Sequence, residues 1–163
     1  MKKLKLLYIL LFVLVCLPHT VCAENYDVYV TKKESNVYKV DNDDVIILTR
    51  FCYVNAYSGK GLLKSTGYSG EIVFTDSQEK CFVKGVYGRS NSFHGNYEVQ
   101  INREADDWYA IVGKDNYIKT SKCLKMIPNQ LSTITLNADG WGNLIFGDGK
   151  GCIVEGIYTQ LLL

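Results

Sequence analysis

The sequence predicts an all-β protein built as a tandem duplication of a disulfide-stapled unit of about 70 residues, and three observations lead there. Cys81-Phe82-Val83-Lys84-Gly85-Val86-Tyr87 returns as Cys152-Ile153-Val154-Glu155-Gly156-Ile157-Tyr158, 71 residues further on. The same offset pairs Cys52 with Cys123, so each copy holds two cysteines 29 apart. The chain has 14 glycines against 2 prolines, and short β-branched and aromatic runs recur without helical periodicity.

Residues 1–23 read as a secretory signal. Lys2, Lys3 and Lys5 precede an apolar run from Leu6 to Leu17, and Val21-Cys22-Ala23 forms the cleavage site. The run is too short for a comfortable membrane span. Cys16 and Cys22 both follow valine, which argues against a lipid anchor. Cleavage after Ala23 leaves 140 of the 163 residues, divided into a first copy over 24–92 and a second over 93–163. Of the 18 Lys and Arg, three go with the leader, and against 17 Asp and Glu the remainder carries a net charge of −2. Such a chain has no electrostatic footprint for nucleic acid or for an anionic membrane. The expected location is secreted or periplasmic.

Export gives the four remaining cysteines their meaning, because an even number in an exported chain is a disulfide framework. A zinc site would need closer ligand spacing, and no Cys-x-x-Cys pair or neighbouring histidine is present. Three pairings are possible, all compatible with a pseudo-twofold. A single-copy ancestor could close only its own pair, which selects Cys52–Cys81 and Cys123–Cys152. Each bridge would stabilise by about 3 to 4 kcal/mol in the chain-entropy model.

Strands follow in order. Asn25 to Val30 and Asn96 to Ile101 alternate apolar with polar residues, as half-buried strands do. Val37–Val40 and Val45–Leu48 flank Asp41-Asn42-Asp43-Asp44, which is turn chemistry rather than a calcium loop, since the second copy keeps only Asp115 of the acids. Thr49 and Cys52 would face opposite ways in a regular strand, so a bulge or a strand end must turn Cys52 inward. The stretches 53–69 and 124–141 diverge most, with a strand expected at Leu131–Leu136. Ile72–Phe74 and Leu144–Phe146 match again, at an offset of 72. In the repeated heptapeptide, Cys81, Val83, Gly85 and Tyr87 fall at period two, so they and their counterparts should share the core face. The glycines there should admit a close neighbour, such as a large ring. Two architectures stay open: two small β domains, or two closely packed halves forming a pseudo-twofold sandwich or barrel, which the short linker 88–95 favours.

No catalytic constellation stands out. His94 is the only histidine left after cleavage and sits in a glycine-bounded linker; Asp44 with Asp115 and Asp76 with Asp148 read as turn or strand-end residues. No cofactor or metal is expected. The reading is a non-catalytic binding or inhibitor-type protein with an unidentified protein or glycan ligand; a cell-surface structural or adhesin subunit is the alternative, and a hydrolase acting on envelope polymers the weakest. An adhesin would assemble through a sheet edge or through Leu161-Leu162-Leu163. Tyrosine supplies rigid amphipathic contact area in recognition loops. The aromatics without a counterpart in the other copy, Tyr53, Tyr57, Tyr68 and Trp141, are therefore the candidate binding residues.

Overall fold

The structure is a computed structural model that describes residues 24–91, 94–123, 125–126 and 128–162. The expected signal segment lies outside the described residues. Twelve strands and no helix make up the fold of the described residues. The first six are β1 (Glu24–Glu34), β2 (Val37–Val40), β3 (Val45–Arg50), β4 (Gly59–Ser65), β5 (Gly70–Phe74) and β6 (Lys80–Arg89). The second six are β7 (Gly95–Ala105), β8 (Trp108–Ile111), β9 (Asn116–Ser121), β10 (Gln130–Leu136), β11 (Gly142–Phe146) and β12 (Gly151–Gln160).

Each set closes on itself. Antiparallel pairing runs β1-β2-β3-β6-β5-β4 and back to β1. The second ring repeats it as β7-β8-β9-β12-β11-β10 and back to β7. Closure leaves no free edge within a ring, and six strands enclose a space that side chains alone can fill. Val30, Tyr38, Ile47, Leu63, Ile72, Phe74, Val83 and Val86 fill the first barrel; Ile101, Tyr109, Ile118, Ile134, Leu144, Phe146, Val154 and Ile157 fill the second. The disulfides Cys52–Cys81 and Cys123–Cys152 each tie the segment after the third strand of a barrel to its sixth.

One short ladder joins the barrels: β6 pairs with β12, Tyr158 opposite Arg89 and Gln160 opposite Tyr87. These partners exchange when the halves are exchanged, so the ladder is its own image. The flanking bonds repeat this. Arg89 N donates to Asp44 O at 3.1 Å and Gln160 N to Asp115 O at 3.2 Å, while Ser90 N to Ile157 O and Leu161 N to Val86 O are both 2.8 Å. Beside the ladder lies a third apolar cluster of Val37, Ile46, Leu48 and Tyr87 from one barrel with Trp108 and Tyr158 from the other. Trp108 is fully buried there, its ring 5.6 Å from that of Tyr87 and 5.1 Å from that of Tyr158. Ion pairs Lys84–Glu104 and Lys119–Glu34 also cross between the barrels.

The shared core face expected for Cys81, Val83, Gly85 and Tyr87 is corrected by the pairing. Thr49 opposes Val83 but Leu48 opposes Gly85, so Lys84 is an unpaired bulge, and Glu155 is its equivalent between Val154 and Gly156. One extra residue reverses every later side chain. Cys81 and Val83 therefore point into the barrel, Val86 joins them, and Tyr87 turns outward into the cluster between the barrels. The expectation for glycine holds at Gly85, where a Cβ would stand 2.6 Å from Tyr87 Oη, but not at Gly156, where the Tyr158 ring is at an ordinary 3.4 Å. Strand β4 also carried no clear pattern, because Gly-Lys-Gly-Leu-Leu-Lys-Ser mixes glycine and lysine into an otherwise apolar run.

A candidate binding loop on the first barrel

The third strand of each barrel ends at a residue with left-handed backbone, Phe51 (φ 53°) in one and Lys122 (φ 53°) in the other. That sharp turn brings the next residue, Cys52 or Cys123, inward to its disulfide, which is how the cysteine escapes the parity of its strand. Beyond it the chain from Cys52 to Ser58 lies along β1. Its burial alternates: Cys52 and Ala56 are buried and Val54 half-buried, while Phe51, Tyr53, Asn55 and Tyr57 are exposed. Phe51 is 83%, Tyr53 80% and Tyr57 91% exposed.

The inward residues hold this loop firmly. Cys52 N donates to Asn36 Oδ1 at 2.9 Å, and the buried Tyr38 hydroxyl donates to Val54 O at 2.7 Å. Burial, with a smaller contribution from Glu79, raises Tyr38 to about 12, so it remains a neutral donor. Lys32 N donates to Ala56 O at 2.8 Å, and the Lys32 ammonium reaches Tyr53 O and Asn55 Oδ1. At the far end Ser58 N donates to Thr31 Oγ1, which in turn donates to Asp41 Oδ1. Hydrogen bonds from Ser58 and Thr31 hold the Asp41 carboxyl below its ordinary range. A recess of about 320 Å³ beside the loop is lined by Lys32, Lys33, Glu34, Asn55, Ala56 and Tyr57.

The second barrel anchors its equivalent segment in the same way, through Asp107 to Cys123 N and from the Tyr109 hydroxyl to Lys125 O. Among its described residues Lys122 and Met126 are exposed and Lys125 half-buried, with the Lys125 ammonium bound to Asp148 and over the Phe146 ring. The aromatic display belongs to one barrel.

The four candidate residues do not form one surface. Tyr53 and Tyr57 precede β4 and Tyr68 follows it, so the strand's seven residues, about 20 Å of rise, lie between them. Tyr68 sits in the turn between β4 and β5, where its carbonyl accepts from Gln160 Nε2. Trp141 follows the corresponding turn of the second barrel, where Arg89 donates to Asp139 O. Both turns thus dock against a strand of the opposite barrel. Phe51 was absent from the sequence-based set, although the offset already matched it to Lys122, an unlike residue beside a matched cysteine. Leu161, which the adhesin alternative would place at an assembly surface, packs against the first barrel's core, while Leu162 is exposed.

Among the described residues, no cluster of three or more His, Cys, Asp or Glu could hold a metal ion, and no helix is long and apolar enough to cross a membrane. No family model matches this chain, and comparisons with curated proteins and with solved structures return no match.

Proposed function

We propose that this is an exported, non-catalytic binding protein whose contact site is the loop from Phe51 to Tyr57. The observation that carries the reading is three aromatic rings held in solvent by a backbone that is fixed at both ends and in the middle. Phe51 supports it most strongly. A bulky side chain in the left-handed region costs about 1–2 kcal/mol relative to an ordinary backbone, and its ring covers no part of the core. The turn itself serves the disulfide in both barrels, but the second barrel makes it with Lys122, so an exposed phenylalanine there adds nothing to the fold and points to a contact made with something else. The loop is anchored before it binds, which limits the ordering entropy a partner must offset. Two disulfides agree with an oxidising compartment.

Replacing Phe51, Tyr53 and Tyr57 together with alanine tests this. Recovery of a specific partner from an envelope extract of the source cells should be lost, with the thermal midpoint unchanged. Unfolding of the variant would place the rings in the core; unchanged capture, compared with a Tyr68→Ala/Trp141→Ala variant that loses it, would move the site to the turns.

A further inference from the structure

With the loop taken as the contact site, a reading on which this inference rests, a feature of its backbone narrows the class of partner. Cys52 N and Ser58 N both have protein acceptors, yet among the described residues none of the five N–H groups between them, Tyr53 to Tyr57, donates to a protein atom. The carbonyls divide by parity. Val54 O and Ala56 O accept from Tyr38 and from Lys32 N, on the barrel side, whereas Asn55 O and Tyr57 O accept nothing from the described residues. In an extended segment the N–H and C=O of one residue point the same way and those of its neighbour the opposite way. With the even carbonyls committed to the barrel, the N–H groups of Tyr53, Asn55 and Tyr57 and the carbonyls of Asn55 and Tyr57 are left open, while the Tyr53 carbonyl is met by the Lys32 ammonium.

This is an open backbone edge, outside the strands that close the ring. We propose that Tyr53–Tyr57 receives an extended peptide segment of a protein partner as an added strand, bonded through the N–H and C=O groups of Asn55 and Tyr57 and the N–H of Tyr53. Phe51, Tyr53 and Tyr57 stand at period two along the edge and contact apolar side chains at alternate positions of the peptide. The local charge selects acidic flanks. Lys33 and Arg50 are exposed and form no ion pair among the described residues, and the nearby Glu34 is occupied by Lys119.

A display library of random linear octapeptides, panned on the exported protein and counter-selected on the Phe51/Tyr53/Tyr57 alanine variant, supplies the probe. Enriched peptides should carry apolar residues at alternate positions beside Asp or Glu. A synthetic copy of the strongest should bind about tenfold more weakly to Asn55→Pro, which removes one outward N–H, and no more weakly to Asn55→Ala, which keeps it. N-methylation of the peptide at alternate residues should weaken it likewise, and the Asn55 and Tyr57 amides should exchange more slowly in the complex. The N-methyl comparison stands even if Asn55→Pro fails to fold. Strand addition is overturned by no enrichment, by equal binding of the N-methylated and unmodified peptides, or by binding of phosphatidylglycerol vesicles in place of peptide. Loss of partner capture in the alanine variant with full capture by Asn55→Pro would keep the binding site and remove only the added strand.

Discussion

The first and second barrels share a wiring diagram, a disulfide position and the bonds that anchor the segment after the third strand, but they differ in what that segment shows to solvent. The shared items have a backbone reason. Asn36 (φ 59°) and Asp107 (φ 58°) occupy the same tight turn, and each uses its side chain to bind the N–H of the cysteine that follows the third strand. Tyr38 and Tyr109 each reach a carbonyl two residues beyond that cysteine. Where a side chain satisfies a buried backbone group the two halves agree, because leaving that group unpaired costs about 1–3 kcal/mol. Where it touches nothing, as at Phe51 and Lys122, they differ. A second contrast lies at the inner ends: Leu161, from the second half, packs on the first barrel's core, whereas its equivalent in the first half, the polar Ser90, faces a recess of the second barrel.

The cluster between the barrels offers the largest test of this asymmetry. Trp108 and Val37 are equivalent in the two halves and both buried in it, and the larger Trp108 ring lies against those of Tyr87 and Tyr158. Trp108→Ala should cost about 3–5 kcal/mol in urea unfolding, and Val37→Ala about 2 kcal/mol. Equal losses would mean that the cluster is not organised around the indole.

A smaller difference is expected at the paired glycines. On Gly85 a methyl group would meet Tyr87 Oη at 2.6 Å and Gln160 Nε2 at 2.9 Å, whereas on Gly156 nothing lies closer than 3.4 Å. The Tyr87 ring is buried and cannot move aside freely. Gly85→Ala should destabilise by about 1–3 kcal/mol and Gly156→Ala by less than about 0.5, measured as the shift in denaturation midpoint. A reversed order would show that the rings over the two glycines are not placed as described.

The smallest effect has the opposite sign. Asparagine adopts left-handed backbone more readily than phenylalanine or lysine, so Phe51→Asn and Lys122→Asn should each stabilise by roughly 0.5–1 kcal/mol. Only Phe51→Asn should weaken partner capture. A destabilised Phe51→Asn would give the ring a structural role and remove the strongest support for the loop as a contact site.

The sequence by itself determined the all-β class, the within-half disulfides and the correspondence of the strands. These depend on local alternation, on turn residues such as Asp41–Asp44, and on cysteine spacing, all of which are written in neighbouring positions. Part of the proposed site is legible too, since Tyr53 and Tyr57 stand out as aromatics without a counterpart. Only the tertiary structure decided the rest. That each half closes its own ring depends on β4, whose glycines and lysines acquire strand geometry from pairing with β1 and β5. That Tyr87 faces the other barrel depends on an unpaired Lys84, and a bulge exists only as a mismatch between two strands. That Phe51 lies beside Tyr53 and Tyr57 on one loop, with Tyr68 and Trp141 elsewhere, depends on what covers each ring and where each strand carries it. An aromatic side chain reads the same in sequence whether it is core or contact; its neighbours across the fold make the difference.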